Sequence, residues 1–267
     1  MKNFDDKILK DLINSYQEQD VFDIVIKEET ESTNIDVRKM AQNGAKEGTV
    51  IVADAQTGGK GTRGRSFSSP KGTGLYMSML LRPEFSTRET LNITCIASIA
   101  VCRAIEKISG KRVGIKWVND IYSEDNKKLC GILTEAVFNE ENSAIKYAVL
   151  GIGINVYEPE NGFDAKIKDI AGALFESAEI NENVKEKLAF YVLSEFWDMY
   201  KNFDKTLVLN EYRKRSVLLG KRIYVLSEKN AKTAVATEIN EDFSLSVRYA
   251  DGREEALISG DVSIKKL

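Results

Sequence analysis

The stretch Gln56-Thr57-Gly58-Gly59-Lys60-Gly61-Thr62-Arg63-Gly64-Arg65 places four glycines and three cations within the eight residues from Gly58 to Arg65. Glycine lets the backbone come close to an anion while Lys60, Arg63 and Arg65 neutralise it, so the stretch reads as a loop that wraps phosphate. It is not a Walker A loop, because no Gly-Lys-Ser/Thr follows at the required spacing and no helix pattern opens behind it. Phe67-Ser68-Ser69-Pro70 comes next, and Leu75 to Leu81 then reads as a strand. Thr49 to Ala53 is a short apolar strand leading in. A loop hung between two strands is supported at both ends.

Working outward toward the amino terminus, Glu31-Ser32-Thr33-Asn34 supplies cap-type residues before a helix that stops near Asn43-Gly44. Taken alone, Ser32, Thr33 and Asn34 need do no more than cap. Asp23 to Glu28 alternates around Ile24 and Ile26 as a strand, and Phe4, Ile8, Leu12 and Tyr16 form the apolar stripe of a short helix. In the other direction, Glu89 to Ile108 is apolar on most sides and reads as a long buried helix. Val113 to Trp117 is strand-like and delivers Lys116-Trp117-Val118-Asn119-Asp120-Ile121-Tyr122, where Asn119 and Asp120 by themselves suit a polar turn. Lys128 to Phe138 pairs back, and Ala144 to Val156 makes a third strand carrying Gly151-Ile152-Gly153-Ile154-Asn155. Asn183 to Phe203 puts Val184, Leu188, Val192, Phe196, Met199 and Phe203 on one helical stripe, which is core. From Gly220 the pattern changes to five short strands, 222–226, 233–239, 244–249, 254–258 and 262–264, with Ala250-Asp251-Gly252 as a hairpin turn. They predict a small β-barrel of about fifty residues, near the lower limit for folding alone and therefore packed on the main domain.

The 267 residues are 43% hydrophobic and 30% charged, with a net charge of −3, which suits a soluble protein and gives no global field for nucleic acid. Cys95, Cys102 and Cys130 are odd in number and lack metal-ligand spacing, so a reducing, cytoplasmic setting is expected. There are no histidines, which excludes Ser-His-Asp, Cys-His and His-ligated zinc chemistry and leaves carboxylates, lysines and arginines. Residues 1–19 are charged and carry no apolar signal core, and Leu91 to Ile105 is interrupted by Asn92, Thr94, Ser98 and Arg103. Neither export nor a membrane span is predicted.

Ser32-Thr33-Asn34, the Gly/Lys/Arg loop after Gln56, Lys116-Trp117-Val118-Asn119-Asp120, Lys128-Leu129-Cys130-Gly131, Gly151-Ile152-Gly153-Ile154-Asn155 and Ser259-Gly260-Asp261-Val262-Ser263-Ile264 occur in one order. That order resembles biotin protein ligase, from about residue 22 onward. The resemblance implies an α+β fold: a mixed β-sheet catalytic domain similar to that of class II aminoacyl-tRNA synthetases, with a small C-terminal SH3-like β-barrel. The implied domains are a short N-terminal helical extension (1–21), a biotin- and ATP-binding catalytic domain (22–216) and the SH3-like domain (217–267).

The implied chemistry is ATP-dependent activation of biotin as biotinyl-5′-adenylate, with Mg2+, followed by transfer to a lysine of the biotin carboxyl carrier protein or domain of a carboxylase such as acetyl-CoA carboxylase. Such a reaction rests on positioning and cationic stabilisation and needs no histidine. By the same resemblance Lys128, Asp120 and Arg65 are catalytic. Ser32, Thr33, Asn34, Gln56, Gly59, Lys60, Lys128 and Gly131 bind biotin, with Ser32, Thr33 and Gln56 on the ureido ring. Lys60, Thr62, Arg63, Arg65, Phe67, Lys116, Asn119 and Asn155 bind ATP or the adenylate, with Asn155 at the adenine. Asp120 serves the lysine-transfer step or a metal.

The sequence departs from the family pattern at four residues in three places. Lys60 and Thr62 replace arginines of the loop, Phe67 stands where tryptophan is usual, and Val118 replaces the proline before Asn119-Asp120. Thr62 predicts weaker retention of the adenylate unless Arg63 reaches the same phosphate. The residues before Ser32 are too few for the winged helix-turn-helix of repressor relatives, so no DNA binding is expected, and the protein is expected as a monomer or homodimer. A lipoate-type ligase and a non-catalytic biotin- or nucleotide-binding module are the alternatives. The former lacks the Gly/Arg loop, and the latter has no need of Lys128 and Asp120.

Overall fold

Strand β2 (Thr49–Gln56) runs into the glycine-rich loop and strand β3 (Gly74–Leu81) leaves it, the two pairing antiparallel from Val50–Met79 to Ala53–Tyr76. A computed structural model describes residues 4–16, 19–84, 90–139, 144–176, 182–226, 231–258 and 261–264. Glu89, Ser259 and Gly260, which belong to expected elements, lie outside these residues.

Around that pair a seven-stranded mixed sheet forms in the order β1-β2-β3-β7-β6-β5-β4. Strand β1 (Asp23–Thr30) lies parallel to β2, with helix α2 (Thr33–Gln42) crossing between them, and every other pairing is antiparallel. Strands β4 (Val113–Lys116), β6 (Lys128–Phe138) and β7 (Ile145–Asn155) follow the sequence reading closely. Strand β5 (Asp120–Ser123) is additional. Its four residues are too short to announce a strand, yet they pair with both β4 and β6.

One face of the sheet is covered by α2, whose Val37 and Ala41 pack on Ile51, Leu80, Tyr147 and Val149. The other carries the main core, built on α3 (Thr90–Ser109) and α4 (Val184–Lys201). Residues Asn92 to Cys102 of α3 are all buried, as expected of a helix apolar on most sides. Helix α1 (Asp6–Asn14) buries Leu9 and Ile13 against this core, whereas Ile8 and Leu12 are only half-buried. The apolar face is thus centred one residue beyond the expected stripe, because the pair of stripes together, not the four-residue spacing alone, meets α4. Helix α5 (Lys205–Arg215) was not legible: its charged sequence buries only Val208, Leu209 and Tyr212.

The last five strands, β8 (Arg222–Leu226), β9 (Ala231–Ile239), β10 (Leu245–Tyr249), β11 (Glu254–Leu257) and β12 (Asp261–Ile264), form a second, antiparallel sheet in the order β11-β10-β9-β8-β12. This is consistent with the SH3-like barrel. Its inward residues, Phe243, Leu245 and Val247 among them, join the same core as the main sheet. Among the described residues no helix is long and apolar enough to cross a membrane.

Candidate functional site

The loop between β2 and β3 closes on itself as a small hairpin. Phe67 N donates to Gly59 O at 2.9 Å and Gly61 N to Arg65 O at 2.7 Å, with a 3₁₀ turn at its tip, Thr62–Gly64. Beneath it lies a cavity of about 330 Å³ whose floor is the end of the sheet where β3, β7 and β6 run side by side.

The floor has little side chain on it. Gly131 and Gly153 face each other across β6 and β7, and the ring of Phe67 rests on them. A Cβ at Gly153 would stand 2.6 Å from Phe67 Cε1, so the ring can lie here only because the strand carries glycine. A Cβ at Gly151 would stand 2.1 Å from Asn34 Oδ1, which gives that glycine the same role for a polar group.

One end of the cavity is a network of uncharged polar groups. Gln56 Oε1 accepts from Thr33 N at 2.9 Å and lies 3.2 Å from Thr33 Oγ1, while Gln56 Nε2 donates to Ser69 Oγ at 2.9 Å. Ser78 Oγ lies 2.7 Å from Thr33 Oγ1 and donates to Asn34 Oδ1 at 2.6 Å. Asn34 Nδ2 in turn donates to Glu135 Oε2 at 2.7 Å. Ser32 occupies the N-cap position of α2 but makes no side-chain cap bond. The cluster is therefore more than a helix cap.

The other end is cationic. Lys60, Arg65, Lys116 and Lys128 line the cavity, against a single lining carboxylate among the described residues, Asp120. Four cations around one acid reverse the sign of the chain's overall charge at this place. Lys128 Nζ sits 2.6 Å from Asp120 Oδ1, across the β5–β6 pair. Arg65 is drawn back onto its own loop, Nε donating to Thr62 O at 3.2 Å and Nη2 to Thr62 Oγ1 at 2.9 Å. Lys116 Nζ donates to the Tyr122 hydroxyl at 3.3 Å. Burial and the neighbouring Asp120 push the Tyr122 phenol up, against the pull of Arg65, so it stays protonated. Cys130, buried beside the site, has its thiol pushed well up by desolvation and is no nucleophile.

The turn carrying Asn119 and Asp120 is clamped from several sides. The Trp117–Val118 peptide bond is cis, Tyr212 Oη donates to Val118 O at 2.8 Å, and Asn119 Nδ2 donates to Ile132 O at 2.6 Å. Asn155 also lines the cavity, its Nδ2 donating to Gly172 O at 2.9 Å.

The structure thus brings Ser32, Thr33, Asn34, Gln56, Lys60, Thr62, Arg65, Phe67, Lys116, Asn119, Asp120, Lys128, Gly131 and Asn155 around one cavity. Gly59 and Arg63 stand outside its lining; Arg63 holds a left-handed φ of 56° at the loop tip, and Gly59 lies under the Phe67 carbonyl. Sequence reasoning missed Tyr122, the wall formed by Phe163, Ile167, Ile170 and Ala171, and Ser263 of the second sheet. The wall is joined to the site through Lys128, whose N donates to Ile170 O at 2.7 Å. Among the described residues no group of three His, Cys, Asp or Glu side chains comes together to hold a metal.

Residues 25–155 match the model of the biotin/lipoate A/B protein ligase family. The chain is similar to the bifunctional ligase/repressor BirA of Bacillus subtilis, 41% identical over 147 residues, which are 55% of this chain and 44% of that protein. It is 26% identical over 243 residues to the biotin–[acetyl-CoA-carboxylase] ligase of Mycobacterium tuberculosis, 88% of this chain and 86% of that one. Among solved structures, the biotin protein ligase of Aquifex aeolicus in complex with biotin and ATP superimposes with a TM-score of 0.73 at 27% identity, covering 92% of this chain and 99% of that one. The chain thus spans less than half the length of the BirA relative and nearly all of the Aquifex structure.

Proposed function

We propose that this chain, whose residues 25–155 match the model of the biotin/lipoate A/B protein ligase family, is an ATP-dependent ligase that activates biotin as biotinyl-5′-adenylate and transfers it to a lysine of a biotin carboxyl carrier protein. The observation that carries this reading is the division of one cavity into an uncharged polar end, at Thr33, Gln56 and Asn34, and a cationic end, at Lys60, Arg65, Lys116 and Lys128. A urea ring suits the first and a triphosphate the second. The same polar end argues against lipoate, whose dithiolane ring brings no donor or acceptor to a polar network that it would cover.

In the first step a carboxylate oxygen of biotin attacks the α-phosphate of ATP, a P–O bond forms, and the bond to the departing pyrophosphate breaks. Both reactants are anions. Lys128 stands where the two would meet, and its ammonium, held at 2.6 Å by Asp120, offsets their repulsion. Arg65 and Lys60, on the hairpin above, bear on the phosphates. Phe67 offers a ring face for stacking, and Asn155, with its Nδ2 tied to Gly172 O, keeps Oδ1 to accept from the adenine amino group. In the second step the amine of the carrier lysine attacks the anhydride carbonyl and AMP leaves with the bonding pair. Asp120, the lining carboxylate among the described residues, takes the amine's proton in this reading, which its place in the lining supports.

A Mg2+ ion would supply charge neutralisation of the triphosphate; the single lining carboxylate fits an ion carried mainly by the nucleotide, with Asp120 as its one protein ligand. Three free, buried cysteines and the absence of a long apolar helix among the described residues support a cytoplasmic setting. Pyrophosphate release measured with biotin and ATP, against lipoate and ATP, tests the reading. Release with biotin alone is expected, and release with lipoate or with neither would overturn it.

A further inference from the structure

We propose that Tyr122 is a positioning residue for the transfer step: its hydroxyl holds Lys116 away from Asp120, so that Asp120 keeps Lys128 on one carboxylate oxygen and leaves the other open to the amine of the carrier lysine. This deepens the ligase reading and rests on it.

Three strands bring Lys116, Asp120 and Lys128 to one face of the sheet. In the β4–β5 register Lys116 stands directly opposite Asp120. In the β5–β6 register the count slips between Ile121 and Tyr122, so that Leu129 is passed over and Lys128 comes opposite Tyr122. That bulge turns Lys128 to the cavity: Gly131 already faces it, and regular alternation would have presented Leu129, which is instead in the core.

Side chains directly opposite in an antiparallel pair have Cβ atoms about 4.5–5.5 Å apart, nearer than the diagonal neighbours, and opposite charges so placed attract. The observed contacts are nevertheless the diagonal ones. Lys116 Nζ passes Asp120 and donates to Tyr122 Oη at 3.3 Å, with the ammonium 5.1 Å from the centre of the ring. Lys128 Nζ passes Tyr122 and meets Asp120 Oδ1 at 2.6 Å. Two cations thus compete for Asp120, and the phenol takes the one that is closer to it in register. Tyr122 offers Lys116 both an acceptor oxygen and a ring face. It is buried and stays protonated, so it holds the ammonium without adding negative charge to the site.

The consequence falls on Asp120 Oδ2. The ion pair with Lys128 occupies Oδ1. Were Lys116 to swing back to its opposite neighbour, both oxygens would carry an ammonium, and Asp120 could not take the proton that the carrier amine gives up as its nitrogen bonds to the carbonyl carbon. The first step makes no such demand, because the carboxylate of biotin attacks without losing a proton.

Tyr122→Phe removes the hydroxyl and keeps the ring. The rate of biotin transfer from pre-formed biotinyl-5′-adenylate to an unmodified biotin carboxyl carrier domain is expected to fall about ten- to 150-fold, as for one charge-assisted bond made to the wrong partner, with pyrophosphate release in the first step within about threefold of wild type. On a Lys116→Met background, where no second ammonium competes for Asp120, the same substitution should slow transfer less than about twofold. An unchanged transfer rate in Tyr122→Phe, equal losses in both steps, or an undiminished loss with Lys116→Met present would overturn the proposal. A wild-type chain that does not transfer biotin from the adenylate would instead overturn the ligase reading.

Discussion

The indole Nε1 of Trp117 donates to the carbonyl oxygen of Phe243 at 2.8 Å, across 126 positions of sequence. Phe243 is fully buried at a left-handed φ of 62°, costly for an aromatic residue, and its ring meets Tyr212 edge-on at 5.8 Å. Tyr212 donates to Val118 O, so the second sheet and α5 grip adjacent residues of the turn that presents Asn119 and Asp120.

Trp117→Phe removes the donor and keeps most of the packing. The Phe243 carbonyl is left buried and unpaired, which is expected to destabilise the protein by about 1–3 kcal/mol in urea unfolding. Because the strained residue also anchors the turn, the rate of biotin transfer should fall more than the affinity for biotin measured by calorimetry.

Lys128→Ala is expected to slow adenylate formation about ten- to 150-fold, the equivalent of a charge-assisted contact worth about 1.5–3 kcal/mol, with the fold retained. It also leaves Asp120 without the cation now 2.6 Å away. Near-normal pyrophosphate release from a folded variant would refute the role.

Thr62 holds Arg65 through both its carbonyl and its hydroxyl, whereas Arg63 stands outside the cavity lining. Thr62→Val, which removes the hydroxyl, should speed release of the adenylate about two- to tenfold, as expected for one hydrogen bond of about 0.5–1.5 kcal/mol. Arg63→Ala should change it less than about twofold. Faster release from Arg63→Ala than from Thr62→Val would assign the closing role to Arg63.

Burial pushes the Glu211 carboxyl up, and hydrogen bonds from Arg103 and Arg215 outweigh it, holding the group below its usual 4.5. A depressed folded value means stability that is present above pH 4.5 and lost as pH falls through that lower value. Glu211→Gln should thus be less stable than wild type at neutral pH, with the difference shrinking on acidification. Urea unfolding on both sides of the usual carboxylate range checks the sign.

The loop and the glycine-bearing strands were legible because each is set by its own local residues, whereas Lys128 and Asp120 stood out only through the resemblance, since alone they suit a strand start and a polar turn. What could not be read is what the sheet order brings together. β3 lies beside β7, not β4, so nothing near Asn34 announced Glu135 as its partner. The wall at Phe163 to Ala171 has no helical or strand period, and Ile170 is half exposed, so it resembled an ordinary connection. Helix α5 hid behind its charges: Glu211 and Arg215 serve a network with Arg103 and Glu106 that a periodicity of apolar residues does not register.

Ser263 lines the cavity and Phe243 anchors its turn, so the site draws on residues from 32 to 263. During synthesis the cavity floor is complete once Asn155 has emerged, long before either of these has been made. A nascent chain that has reached Ser216 carries Tyr212 and its bond to Val118 but lacks the grip of Phe243 on Trp117. If the proposed chemistry holds, the means to hold a reactive intermediate come only with the final sheet, and a partly made chain has the outline of the pocket before it has the clamp at Trp117.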